Sequence, residues 1–324
     1  MMMALEAMPE RELLREFDSL RLSFYIFQRN HAELRQFLDF YISDSSNQRL
    51  YDMAVKERVR TLGYEIARLL QNFVAAAKSL VDHTRNMYRR LYKKGEFPDY
   101  DREVKSVFAE DPLIRFVQDL RNFLLHYRTA AIQFTYTVDP RTEEATNSLA
   151  MTTEELKRFE GWSPQARKFL DAAGDKVDLS EVVEQYNAKV EDFYRWLGQK
   201  QHDIHREEID RFAAKEAELF LLQIEDSLDR WLSNPNPKEN QAPGDRGLFL
   251  SIFDISEFDT LERLPEGSLA RADMTVAMLA GRFPIPPRIE KKIRRAYTDP
   301  AFFQRDVWLS EHRPREADSG ELPD

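Results

Sequence analysis

The chain has 324 residues, no cysteine and a formal net charge of −10, with 42% hydrophobic and 32% charged residues. That length has room for about two domains and for cores that need no covalent staples. The missing thiol excludes a disulfide scaffold, a thiolate nucleophile and any cysteine-ligated metal centre, and the acidic balance argues against broad non-specific nucleic-acid binding.

Only ten glycines, set against abundant Leu, Ala, Glu, Arg and Lys, favour helix, so a mainly α fold is expected. No apolar run approaches the length of a membrane span. The start, Met1-Met-Met-Ala-Leu-Glu6, has no basic region followed by an apolar one, so no signal peptide is expected. The expectation is a cytoplasmic protein with no membrane contact.

A first helix is expected from about Glu10 to Ile42, on a stripe that includes Leu13, Phe17, Leu20, Phe24, Phe27, Leu34, Leu38 and Tyr41, with a break near Asn30. The polar stretch Ser43–Asn47 then makes a turn and offers N-cap oxygens. A second helix runs from about Gln48 to Lys94 on Leu50, Met53, Val59, Leu62, Ile66, Leu69, Phe73, Leu80, Val81, Met87 and Leu91. Arg89, Arg90, Lys93, Lys94 and Gly95 close it, cations and a glycine where a helix C-terminus favours them.

A third helix follows from about Asp101, with a fresh start at Asp111-Pro112, because proline suits the first helical position. At about 100° per residue, Leu113, Phe116, Val117, Leu120, Phe123, Leu124 and Ala131 share one arc roughly 120° wide. Arg115, Asp119, Asn122, His126 and Gln133 take the opposite side, with Asn122 and His126 one turn apart. Arg121 stands about 140° from His126 on a straight helix. A bend, or a second copy of the helix, is needed to turn both towards one ligand. Between Lys56 and Arg128 there are fifteen Lys or Arg against ten Asp or Glu, a net of +5, which leaves −15 for the remainder.

After Arg128, Ala131–Val138 alternates and is rich in β-branched and aromatic residues, and Ser148–Thr152 is expected to pair with it as a two-stranded hairpin. Thr152 or Thr153 caps a short helix, and Ser163-Pro164 opens another. From Asp178 or Ser180 one very long helix is expected to about Trp231, on Val182, Val183, Tyr186, Val190, Phe193, Leu197, Phe212, Leu219 and Leu228. The Pro-, Asn- and Gly-containing stretch 234–247 is a linker. Helices near Phe258–Leu264, Leu269–Gly281 and Arg288–Tyr297 make a C-terminal subdomain over 248–309, and 310–324 is a disordered tail. The expected organisation is a helical domain over 1–130, a hairpin plus long helical extension over 131–233, the linker and the C-terminal part.

Arg121-Asn-Phe-Leu-Leu-His126, on a helix that follows a long helix with a basic end, resembles the R-polar-x-x-x-H motif of ribonucleases of the HEPN superfamily. The resemblance covers roughly residues 48–135. Members of that family are small helical domains that dimerise so that two motifs face one another; many cut RNA without a metal, and others are non-catalytic partners of nucleotidyltransferase-like proteins. The resemblance therefore implies a HEPN-like helical bundle, RNA as substrate, a homodimer, no cofactor and no metal, in a toxin or phage-defence setting. It makes His126 the acid/base, Arg121 the phosphate ligand and Asn122 an orienting hydrogen bonder. The chemistry suits these residue types, since a histidine exchanges protons near neutral pH and an arginine fork holds phosphate oxygens. In members modified by a partner nucleotidyltransferase a tyrosine lies two residues after the histidine. Here that position is Arg128 and Tyr127 is one residue early, so that regulation does not carry over. Two looser pairs, Arg195…His202 and Arg305…His312, match less well: Trp196 occupies the polar position of one, and the other sits by a polar, Pro-containing tail.

His83 and Arg85, late on the second helix, reach the same groove if the second and third helices run antiparallel; with Arg115 and Arg128 they are candidate RNA-phosphate ligands. His202-Asp-Ile-His205 places two histidines three apart, with Glu208 beyond. A solvated face, not a metal site, is the expectation there. The alternative to a nuclease is a non-catalytic interaction or scaffold protein whose partner surface is the helix over 180–231.

Overall fold

The computed structural model describes residues 2–43, 56–93, 95–97, 99–129, 131–138, 145–233, 252–265 and 267–298. These residues form a mainly α protein with one small antiparallel sheet. After a short α1 (Met2–Glu6), α2 (Glu10–Ser43) runs without the expected break. Asn30 turns its side-chain amide back to the Ile26 carbonyl at 2.8 Å, so its polar group is satisfied inside the helix. α3 (Lys56–Leu91) follows; the expected turn at Ser43–Asn47 and the start of the second helix lie in residues 44–55, outside the described ones.

α4 (Tyr100–Val104) passes into a π-helical turn, Lys105–Ala109, before α5 (Pro112–Asn122) starts afresh. Pro112 stands at the first position of α5 and the Asp111 carboxylate accepts the Ile114 N–H at 3.0 Å, which satisfies one of the open amides of the first turn. A second π turn, Phe123–Tyr127, ends that helix. The third helix is thus divided where Asp111-Pro112 marks it.

The expected hairpin is a three-stranded sheet. β1 (Gln133–Val138) pairs with a β2 longer than expected (Ala145–Thr152), Gln133 opposite Ala150 and Thr135 opposite Ser148, and β2 pairs with β3 (Lys176–Asp178), Ala150 opposite Asp178. Three residues carry too little alternation to be read as a strand; β3 exists because the chain returns past β2 on its way into the next long helix. Gly174, with φ +68°, takes the left-handed turn before it. Its carbonyl accepts the Thr153 hydroxyl at 2.7 Å.

Between β2 and β3 lie α6 (Thr153–Lys157) and α7 (Pro164–Ala172), the latter capped by Ser163. α8 (Leu179–Ile204) begins at the Asp178 cap and α9 (Arg206–Ser233) follows it. The single helix expected over 180–231 is therefore two. His205, at φ −107° and ψ 20°, breaks it, and its ring is held by the Tyr92 hydroxyl at 3.1 Å and by the Phe17 ring. No glycine or proline marks that break, so the hydrophobic period runs through it unbroken. α10 (Ile255–Glu262), α11 (Leu269–Ala280) and α12 (Pro287–Thr298) complete the described elements. The expected linker 234–247 and tail 310–324 lie outside the described residues.

The chain forms two compact units, Glu12–Arg206 and a second made of Met1–Arg11 with Glu207–Asp324. In the first, Phe27, Leu34 and Leu38 of α2 share one core with Ile66, Leu70 and Phe73 of α3, Phe116 and Leu120 of α5, Leu149 and Met151 of β2, and Val183 and Tyr186 of α8. The sheet and α8 are thus part of the same core as the helices before them, where a separate extension was expected. The second unit has its own core, with Ile224 and Leu228 of α9 packed among Phe258, Leu261, Ala272, Leu279, Ile289 and Ile293. At its edge Glu225 holds both Arg288 (3.0 Å) and Lys292 (2.9 Å). No helix among the described residues is long and apolar enough to cross a membrane.

His31 on α2 gives the first unit a pH dependence. Its Nε2 is buried without a hydrogen-bond partner among the described residues, 3.8 Å from the Glu184 carboxylate of α8, and the ring lies against Phe73. Burial lowers its pKa from the usual 6.5, outweighing the pull of Glu184 and Glu191, while Arg35 adds to the lowering. A histidine neutral in the fold and protonated in the unfolded chain contributes stability that is present above about pH 6.5 and lost as the pH falls through the folded value. Urea-unfolding midpoints should fall between pH 7.5 and 5.5, and His31→Gln should flatten that fall; an identical pH dependence in the variant would remove His31 from the account.

Candidate active site at the end of helix α5

α5 is the most enclosed helix of the first unit. Leu113, Ile114, Phe116, Val117, Gln118, Asp119 and Leu120 are all buried. It packs against α3, α7 and α8. Of the side expected to be polar, Asp119 is buried against the start of α7 and Arg115 is half-buried. Phe116 stacks on Phe169 of α7 at 4.6 Å and on Trp162 at 5.3 Å. The Asp119 carboxylate, 7% exposed, accepts the Ser163 N–H at 2.9 Å and the Arg115 guanidinium at 3.4 Å. A buried carboxylate is tolerated because it is both hydrogen-bonded and charge-paired. At the other end, Lys189 of α8 reaches the Asp111 cap at 2.8 Å.

The helix opens only at its C-terminal end. Arg121 is half-buried, Asn122 and His126 are exposed, and none of the three side chains has an ion-pair or hydrogen-bond partner among the described residues. Between them the backbone changes. The Arg128 N–H donates to the Phe123 carbonyl at 2.9 Å, an i→i+5 bond. A π turn takes in one residue more than an α turn, so the 100° spacing of a straight helix does not hold across Phe123–Tyr127. Phe123 and Leu124 stay in the core, while Leu125, His126, Tyr127 and Arg128 face outwards. Tyr127 rests against Phe123 (5.5 Å) and Phe159 (5.3 Å).

The other candidate residues are placed elsewhere or occupied. Arg115 is turned to Asp119, and Arg128 pairs with Glu155 at 3.2 Å. α3 does run antiparallel to α5: Val81, Thr84 and Arg85 share a small pocket with Phe108, just before α5, while Gly63 lies against Phe134, just after it. His83 and Arg85 therefore stand level with the start of α5, roughly 20 Å along the axis from His126 at 1.5 Å per residue. His83 Nδ1 shares a 2.6 Å hydrogen bond with Ser23 Oγ of α2 and lines a cavity of about 70 Å³ with Glu16, Ser19, Asn86 and Arg90. Arg85 lies 3.8 Å from Asp82. These two residues do not converge on the α5 end. His205 is engaged by Tyr92 and His202 is exposed; among the described residues no group of three or more His, Asp or Glu is placed to hold a metal ion.

Within six residues the end of this largely buried helix presents a guanidinium fork without an acceptor among the described residues, an amide and an imidazole. Such a set can bind an oxyanion and exchange a proton beside it. Sequence reasoning found these three residues and missed the π turn that relates them, as well as the exposed Tyr127 ring next to them. Comparison of the chain with protein-family models, with curated proteins and with solved structures finds no match.

Asp119→Ala should lower the unfolding free energy by about 1.5–3 kcal/mol, because it strips a charged acceptor from the Ser163 amide. Arg128→Ala, which breaks an exposed pair, should stay within about 0.5 kcal/mol. Chemical denaturation of the two variants checks both; equal midpoints would mean that Asp119 does not tie α7 to α5.

Proposed function

We propose that the chain binds RNA at the C-terminal end of α5 and cleaves it in the manner of the HEPN ribonucleases its motif resembles, without a metal. The observation that carries the reading is the set Arg121, Asn122 and His126, unengaged by the chain among the described residues and held around a π turn on an otherwise buried helix. In the reaction the RNA 2′-oxygen attacks the adjacent phosphorus and gives up its proton. The bond from phosphorus to the 5′-oxygen breaks, and that oxygen takes a proton. His126 exchanges these protons, Arg121 holds the phosphate oxygens as charge builds on them, and Asn122 orients. The products are a 2′,3′-cyclic phosphate and a 5′-hydroxyl.

His126→Ala should lower RNA cleavage by about 10²–10⁴-fold, and Arg121→Lys should also lose much activity because an ammonium lacks the forked grip. Cleavage should persist in EDTA, leave cyclic phosphate ends and spare single-stranded DNA. His83→Ala and Arg85→Ala, at the far end of α5, should stay within about twofold, as surface changes away from a site do. Cleavage undiminished in His126→Ala would reject the assignment.

A homodimer belongs to the same proposal, and the π turn sharpens the question it raises. If one chain brings Arg121 and His126 together, mixing Arg121→Ala with His126→Ala protein restores nothing; if each site is shared by two chains, the mixture regains activity. Light scattering on the intact protein gives the assembly itself. The alternative reading, an interaction protein, is favoured by one feature: Leu22, Tyr25 and Ile26 of α2, 59%, 59% and 47% exposed at helical spacing, form an apolar stripe of the kind that meets a partner. On the helices now resolved within 180–231, the large exposed apolar residues are Ile204 and Leu222.

A further inference from the structure

Tyr127 follows His126 directly and has no place in the proton chemistry. Its ring is 50% exposed, yet it is not loose. Phe123, fully buried, holds it at 5.5 Å and Phe159 holds it at 5.3 Å, both at interplanar angles near 44°. The ring is therefore held from within while about half of the residue stays open, on the same turn as the exposed His126 and Leu125 (37%). An aromatic side chain in this position serves the core only in part. An open flat apolar face next in sequence to His126 suits a nucleobase whose phosphate is bound at the same helix end, because the base can stack there.

Resting on the RNA reading above, we propose that Tyr127 is the stacking platform for one base of the bound strand, and that the substrate is accordingly single-stranded RNA. Bases in a duplex are stacked on one another and offer their faces to nothing else, whereas an unpaired base can swing onto the tyrosine. Because every base has a π face, the platform selects strandedness over sequence. Tyr127 is a specificity residue in this scheme; it touches the base and leaves the proton transfers to His126.

The test uses the intact protein and a fluorescein-labelled 2′-O-methyl oligonucleotide, which binds as RNA does but cannot be cut, offered as a single strand or annealed to its complement. The single strand should bind more tightly than the duplex. Tyr127→Leu, which keeps apolar bulk against Phe123 and Phe159 but removes the flat face, should weaken single-strand binding by roughly 5- to 150-fold, the range of one base–aromatic stack, and leave duplex binding unchanged. Tyr127→Trp should keep the affinity, and the emission it adds over the wild-type protein should be quenched by the single strand. A merely structural role would not produce that quenching. If Arg121→Ala weakens binding while Tyr127→Leu binds like wild type and Tyr127→Trp is not quenched, the platform is wrong and the phosphate site stands. Preference for the duplex overturns the platform alone. If the wild-type protein binds neither form, the platform and the RNA reading fall together.

Discussion

The hydrogen bond from the Ser163 amide to the buried Asp119 carboxylate decides what surface the first unit presents. It ties the N-terminus of α7 to α5 at Asp119, beside the stack of Trp162 and Phe169 on Phe116. Arg115 completes the pairing, so the carboxylate is not left as an isolated charge in the interior. With α3, α7 and α8 packed around it, α5 is buried from Phe116 to Leu120. Exposed chemistry on this helix is confined to its end.

At that end two demands conflict. Phe123 and Leu124 belong to the core, and the chain must also leave the helix to enter β1. The π turn meets both, since it keeps the two apolar side chains buried and carries 125–128 outwards in one wider turn. A π turn is costly relative to a continued α-helix and persists where the surrounding packing holds it; here the surrounding packing is Trp162 and Phe159 against Phe123.

The charge distribution is quieter than the local excess of cations between Lys56 and Arg128 implies. Arg90 is paired with Glu16, Arg128 with Glu155, Arg115 with Asp119, and Arg85 lies near Asp82. Two of those acids, Glu16 and Glu155, come from outside the segment and were brought in by folding. Of the arginines named as candidates, Arg121 is the one without such a partner among the described residues.

Much of the architecture was legible because it is local. Hydrophobic period located α2, α3 and α8, Asp111-Pro112 and Ser163-Pro164 marked the starts of α5 and α7 through cap chemistry, and the position of Arg121 and His126 drew attention to a helix end that the structure leaves exposed. What escaped has the opposite character. β3 is three residues long and exists through pairing with β2; the break at His205 is held by Tyr92 and Phe17 from other helices; Asp119, on the expected polar side of α5, is buried because the start of α7 packs on it. The sequence by itself determined which residues are helical and which are apolar, since those follow from backbone propensity and spacing along one segment. Only the tertiary structure decided which polar residues are left unpaired and where the helix ends in a π turn, because both depend on partners distant in the chain.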